Sequence, residues 1–328
     1  MAWVKFALIA LVVVPLVFTL VIGGLIAFGK RPPPPPMESI TAPFAGLDTG
    51  DLPPLQTLRA RDGTALAYRH WPGNSGHVVL ALHGSSAESG SLHVLARALQ
   101  EAGIGVYAPD IRGHGESGRR GDVDYIGQLE DDIADFTTFI ATAHPAARIT
   151  LLGFSSGGGL ALRYTGHRDA AEIDRLVMLA PMLGIESPPV TAANPHAGDT
   201  EWARPFVPRI VGLSILNALG IHALDHLPVL AFAVEPDNPG ATATWSYRLM
   251  VSCNPRDYAA LLKDTQATVT LLAGARDQVF AAQAYAPALH AVRPDATARL
   301  IEGVDHVGMT LSPQALDAVV AAVRASRD

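Results

Sequence analysis

Cysteine is nearly absent from this chain: Cys253 stands alone among 328 residues. A single thiol can form neither an internal disulfide nor a Cys-based zinc site. Its expected role is that of a small packing residue rather than a nucleophile. Positive charge is also scarce. The 24 Lys and Arg are outnumbered by 31 Asp and Glu, the formal net charge is −7, and no Lys/Arg-rich run occurs. A nucleic-acid-binding face is therefore not expected. There is no H-E-x-x-H or comparable ligand cluster, so neither a metal nor another cofactor is expected. Internal repeats are missing, and no obligate protein partner is evident. With 49% apolar and 17% charged residues, nothing marks the chain as disordered or fibrous.

Charge is missing altogether from one long stretch, Phe6 to Phe28, FALIALVVVPLVFTLVIGGLIAF. At about 1.5 Å per residue in a helix, such a run can cross a ~30 Å hydrocarbon layer. The rival reading is a signal peptide, whose apolar region is usually only ~7–15 residues. An uncleaved single-pass anchor is favoured. Pro15, Gly23 and Gly24 are tolerable in such a helix. Lys5 precedes the run and Lys30 and Arg31 follow it, so the positive-inside count is nearly balanced. A short amino-terminal tail with the body on the extracytoplasmic side is the expected orientation. Five prolines, Pro32 to Pro36, come next, and they favour a stiff polyproline spacer.

Beyond the linker the pattern alternates. LQTLRARDGTALAYRHW carries Asp62-Gly63 at its centre, a hairpin turn signal. HVVLALHG, GVYAPD, RITLLGF and RLVMLAP read as buried strands, with helical stretches between them. One of these, DYIGQLEDDIADFTTFIATA, places apolar residues at helical spacing and acids on the other face. The rhythm breaks between Met182 and Asn254 and resumes with ATVTLLAG and TARLIEG. The alternation predicts an α/β fold, a mostly parallel sheet with helices on both faces. It is interrupted by a helical cap insertion and preceded by a transmembrane helix. The expected organisation is an anchor at 1–31, a Pro-rich linker at 32–54, core at 55–181, cap at 182–254 and core again at 255–328.

Gly153-Phe154-Ser155-Ser156-Gly157 fits G-x-S-x-G between a predicted strand and a predicted helix, the context that a nucleophile elbow requires. A register centred on Ser156 would need glycine at Phe154, so Ser155 is the candidate nucleophile. Gly158 and Gly159 either let the helix start pack closely or are incidental. A serine needs a base and an acid to orient it, in the chain order Ser, Asp or Glu, His. Asp277 and His306 follow the last two predicted strands, at a sheet end where active sites collect. Asp305 is a rival acid, but immediate neighbours rarely align as acid and imidazole. His290 falls in a predicted helix, and His222 and His226 lie in the insertion. The backbone N–H groups of Ser85 and Ser156 are the candidate oxyanion donors, and His83 is expected to shape its loop.

In this order, LALHGSSAESGS, YAPDIRGHGESGRRG, LLGFSSGGG, LLAGARDQVF and GVDHVGM resemble the α/β-hydrolase superfamily. The D-x-R-G-H-G-x-S block is similar to the branch of monoacylglycerol lipases, lysophospholipases and serine aminopeptidase-like hydrolases. The resemblance covers about residues 75–181 and 265–328. It implies a Ser155–Asp277–His306 triad, a cap at 182–254, and a structural role for Asp110, Arg112, His114 and Ser117. The apolar run and the proline spacer are additions to that pattern. The expected activity is membrane-anchored hydrolysis of a carboxylic ester, either lipid-like or short-chain. Thioesterase and aminopeptidase activities are the alternatives within enzymes, the latter with Glu186, Glu201, Asp225 or Glu235 holding the free amine. A tethered binding module is the reading outside enzymes.

Overall fold

A computed structural model describes residues 2–325 apart from positions 45, 169, 171, 172, 199, 200, 236, 237 and 239. In its first helix the side chains of residues 2, 4–10 and 12 also lie outside the description. Asp62-Gly63 turns the chain between β1 (Gln56–Arg59) and β2 (Ala65–Trp71). Gly63, at φ +86°, supplies the left-handed residue that the turn needs. The buried runs become β3 (His77–Leu82), β4 (Gly105–Pro109), β5 (Arg148–Phe154) and β6 (Arg175–Leu179). The insertion contributes β7 (Ala203–Pro205), β8 (Pro228–Phe232) and β9 (Thr244–Ser246). The chain returns with β10 (Thr268–Gly274) and β11 (Thr297–Ile301).

The main sheet has eight strands in the order β1-β2-β4-β3-β5-β6-β10-β11. β1 and β2 run antiparallel, β2 meets β4 antiparallel, and every other pairing is parallel. β4, β6 and nearly all of β3, β5 and β10 are buried, as strands covered on both faces must be. The first four residues of β11 alternate between exposed and half-buried positions, in keeping with its place at the edge, and Ile301 is buried.

Ahead of the sheet come α1 (Ala2–Phe28) and α2 (Glu38–Thr41). α3 (His93–Glu101), α4 (Gln128–Ala143) and α5 (Ser156–Tyr164) follow β3, β4 and β5. α6 (Pro188–Thr191), α7 (Val207–Ala218) and α8 (Tyr247–Cys253) lie in the insertion. α9 (Tyr258–Asp264), α10 (Tyr285–His290) and α11 (Pro313–Arg324) complete the core. α3 packs with α11, whereas α5 packs with α4, α8 and α9.

Several expectations are corrected here. The acids of α4, expected on the face opposite the apolar residues, are not turned to solvent there: Glu130, Asp131 and Asp132 are all buried. Each is paired, with Arg163, Arg61 and Arg112 respectively. Nor is the cap purely helical. It holds a three-stranded antiparallel sheet ordered β7-β8-β9. Strands of three residues such as β7 and β9 are too short to show an alternating pattern.

The predicted transmembrane helix is not supported. The stretch from Phe6 to Phe28 is helical within α1, but among the described residues no helix is long and apolar enough to cross a membrane. The expected span at 6–10 and 12 lies outside the described side chains. The last turns of α1 are committed to the cap. Ile22 and Ile26 are buried with Leu213, Val229 and Tyr247, and a Cβ on Gly212 would sit 2.8 Å from Ile26 Cγ1. Arg209 donates from Nε to Ile26 O at 2.8 Å, placing a cation where the helix dipole is negative.

Candidate active site

β5 delivers Ser155 to the carboxyl end of the sheet in a conformation that L residues avoid, φ +54° and ψ −118°. The surrounding hydrogen bonds hold it there. Ser155 N–H donates to Leu179 O at 2.9 Å, and Ser155 O accepts from Gly158 N at 3.0 Å and Met182 N at 2.9 Å. The glycines around it are steric requirements. A Cβ on Gly153 would run into Gly157 O, and one on Gly157 into His83 O. Gly158 and Gly159 are not incidental. A Cβ on the first would come 2.8 Å from Pro181 Cβ, and one on the second would strike Met182 O. α5 is thereby pressed against β3 and β6.

Ser155, His306 and Asp277 come together although they lie far apart in sequence. His306 Nε2 stands 3.0 Å from Ser155 Oγ, and His306 Nδ1 stands 2.8 Å from Asp277 Oδ2. Asp277 is fully buried. Its other oxygen accepts the N–H groups of Val279 at 2.7 Å and Phe280 at 2.9 Å. That carboxylate is therefore fixed in place, and it meets Nδ1 of the imidazole, leaving Nε2 to face the serine. The ring of His306 is bracketed by Phe154 and Phe280, with centroids 5.0 and 5.4 Å away. Gln278 Oε1 accepts the His306 N–H at 3.0 Å. Asp305, the rival acid, accepts from Gly308 N at 2.7 Å instead. His290 bonds Ala296 O, His222 meets Asn217 and Asp225, and His226 bonds Ala223 O, so none of the three enters this constellation.

Among the described residues, no acceptor of the chain takes the N–H of Ser85 or of Ser156. Ser156 opens α5, and Ser85 lies in the loop after β3 and lines the same cavity as Ser155. That loop has its own strained residue, Ser86 at φ +63°. Ser86 O accepts from Thr242 N of the cap at 2.9 Å.

The loop after β4 ties the site to its surroundings. Asp110 accepts Ser89 N at 2.8 Å and Glu116 N at 2.9 Å. Ser117 Oγ accepts Ala67 N at 2.8 Å. Arg112 grips Asp132 with two bonds of 2.6 and 2.8 Å and also meets Asp62 at 3.0 Å. Burial still holds the Asp132 carboxyl up, at about 6. His83 and His114 are locked neutral. Ile111 N–H donates to His83 Nε2 at 3.0 Å, and Trp245 Nε1–H donates to His114 Nε2 at 2.9 Å. Each ring must then carry its proton on Nδ1, which faces Gly84 O and Ile111 O respectively. Burial, reinforced by the neighbouring His83, lowers His114 to about 3.

A cavity of about 300 Å³ opens over Ser155 and His306. Trp202, Phe232 and Val234 of the cap line it, as do Val279 and Val307 of the core. Two contributions were not foreseen from sequence. Glu88 is the only acid among the described lining residues; burial first, then the charge of Asp110, pushes its carboxyl up. The other is the segment read as a plain linker. Ile40, Thr41, Phe44, Leu47 and Thr49 form part of the wall. The only sequence signal was the scatter of apolar residues among Pro, Gly and Thr. Glu186, Glu201, Asp225 and Glu235 do not line the cavity. Cys253 is buried and its thiol is pushed well up by that burial.

Comparison with known proteins places these features in context. The protein-family model described as serine aminopeptidase, S33, matches residues 73–310. A monoacylglycerol lipase of Mycolicibacterium smegmatis is 36% identical over 142 residues, 42% of this chain and 46% of that protein. The human monoglyceride lipase is 29% identical over 153 residues, 46% of each chain. The chain thus spans about half the length of these curated relatives. Among solved structures, the monoacylglycerol lipase of Paleococcus ferrophilus superposes with a TM-score of 0.58 at 21% identity, covering 79% of this chain and 98% of the other. A soluble variant of the monoglyceride lipase of Saccharomyces cerevisiae gives 0.62 at 17% identity, covering 82% and 93%. At these identities the superpositions show the shared α/β-hydrolase fold.

Proposed function

The chain belongs to the serine aminopeptidase S33 family of α/β-hydrolases, and from that premise we propose that it is a serine hydrolase of carboxylic esters. The observation that carries this reading is the unbroken line Asp277 Oδ2–His306–Ser155 Oγ at 2.8 and 3.0 Å, facing a largely apolar cavity. His306 Nε2 takes the proton from Ser155 Oγ as that oxygen attacks the ester carbonyl. Asp277 holds the imidazole in register and stabilises its cation. The N–H groups of Ser85 and Ser156 receive the oxyanion, each donor contributing roughly 3–4 kcal/mol in comparable sites. Collapse of the tetrahedral adduct expels the alcohol, which takes its proton from His306. Water, deprotonated by His306, then cleaves the acyl-enzyme and releases the acid.

A monoacylglycerol-like or lysophospholipid-like ester is the favoured class, for two reasons. The relatives named above are monoacylglycerol lipases, and the cavity wall is rich in aromatic and aliphatic side chains. The aminopeptidase reading is less well supported. Its candidate cap acids do not line the cavity, and Glu88, which does, has its carboxyl pushed toward the neutral form. Leu11, Val14, Leu16, Val17, Leu20 and Val21 of α1 are all exposed, and an apolar patch of this extent is suited to a lipid surface. We place the enzyme at such a surface; sedimentation of the full chain with phospholipid vesicles tests that placement.

Fluorophosphonate labelling tests the chemistry. Wild type and Ser156→Ala should be labelled, and Ser155→Ala should not. Labelling that survives Ser155→Ala, or a folded wild type that never labels, overturns the assignment.

A further inference from the structure

Two anchorages hold the segment that leads from α1 into the sheet. At its start, Met37 is buried and its N–H donates to Ala233 O of the cap at 3.1 Å. Just before it, Arg204 of β7 donates to Pro32 O at 3.0 Å. At its end, Asp51 meets His93 at 3.0 Å and Arg97 at 2.6 Å on α3. The chain between these points therefore runs from cap to core. Along the way Ile40, Phe44 and Leu47 line the cavity that contains Ser155 and His306.

A tether needs none of this. Linkers hold polar, Gly or Pro residues because nothing buries them. Three large apolar side chains, each half-buried, facing a catalytic chamber from a segment fixed at both ends, form a wall. We propose that residues 37–44 and 46–49 belong to a specificity-determining strap, in which Ile40, Phe44 and Leu47 set the length of acyl chain that the cavity admits. The inference rests on the ester-hydrolase reading for its substrate class. The chamber of about 300 Å³ lies at the small end of the usual range for ligand sites, roughly 300–1,000 Å³. The volume of one strap side chain is therefore a sizeable part of the space available.

The test uses the detergent-solubilised full chain. Activity is measured as kcat/KM on p-nitrophenyl esters from acetate to decanoate for wild type, Phe44→Ala, Phe44→Leu and Phe44→Trp. The expected result is a decanoate-to-acetate ratio that rises at least five-fold in Phe44→Ala, rises less in Phe44→Leu and falls in Phe44→Trp. In parallel, binding of the ether 1-O-octylglycerol is measured by calorimetry in a Ser155→Ala background, with and without the Phe44 changes. Ester profiles and ether affinities that stay within two-fold of wild type, with thermal melts confirming folded variants, overturn the strap. If no ester is turned over while ether affinity still follows the size of residue 44, the hydrolase reading fails and the strap stands. Absence of both turnover and ether binding sinks the two together.

Discussion

Asp277 and Asp305 differ in what their carboxylates already hold. Asp277 is fully buried, accepts two backbone N–H groups on one oxygen and faces His306 with the other. Asp305 is spent on Gly308 N. Asp277→Asn should therefore lower kcat by roughly 10⁴-fold, the loss seen when a triad carboxylate becomes an amide that favours the wrong tautomer. Asp305→Asn keeps an acceptor oxygen for Gly308 and should stay within a few-fold of wild type. Steady-state kinetics on one ester decides between them. Equal losses would mean that the proposed acid is misassigned. At this scale much was legible beforehand. Ser155 and Asp277 each follow a strongly apolar strand and His306 follows the edge strand β11, and the required chain order left few alternatives. Glu88 was not legible, because a lone acid in a loop carries no signal until the fold buries it beside Asp110.

Among the elements, the loop after β4 and helix α4 form one electrostatic unit. Arg112 is buried and holds the equally buried Asp132, with Asp62 on its other side. Removing the guanidinium leaves a buried carboxyl without its counter-charge, which costs about 3–5 kcal/mol in comparable pairs. Arg112→Met should lower the free energy of unfolding measured in urea by an amount in that range. The double variant Arg112→Met/Asp132→Leu should recover a large part of it. Failure of the double variant to recover anything would show that Arg112 matters through Asp62 and Thr64 instead. From sequence the acids of α4 are set only on the face opposite the apolar residues, because helical periodicity separates charged from apolar positions but cannot tell a face turned to water from one turned to buried arginines. The sheet of the cap escaped notice for a different reason. β7 and β9 are three residues each, and their pairing with β8 is set by tertiary contacts rather than by a local pattern.

For the whole molecule, the contribution of His114 to the pH dependence of stability has a definite sign. His114 titrates near 3 in the folded protein against an ordinary value of 6.5. Between those values the unfolded chain binds the proton and the folded one does not, so the stability contributed by this group rises with pH across the window, against the opposite contribution of Asp132, whose carboxyl is held up at about 6. The contribution is fully present above about pH 6.5 and is lost as the pH falls toward 3, by about 1.4 kcal/mol per pH unit for a fully linked proton. Thermal melts between about pH 7 and pH 4.5 should show a shallower decline for His114→Gln than for wild type. Glutamine can still accept from Trp245 but does not titrate. Identical slopes would show that His114 is already protonated in the fold.

If extended, the five prolines between α1 and the proposed strap would act as a ruler. At roughly 3.1 Å per residue an extended run of this kind covers about 15 Å, and Arg204 grips its first carbonyl. On the proposed placement of α1 at a lipid surface, such a spacer would hold the chamber near the lipid headgroups. An ester would then pass from bilayer to serine with little travel through bulk water. Turnover would follow the mole fraction of ester in the bilayer, and diluting that ester with inert phospholipid at constant bulk concentration should slow the enzyme.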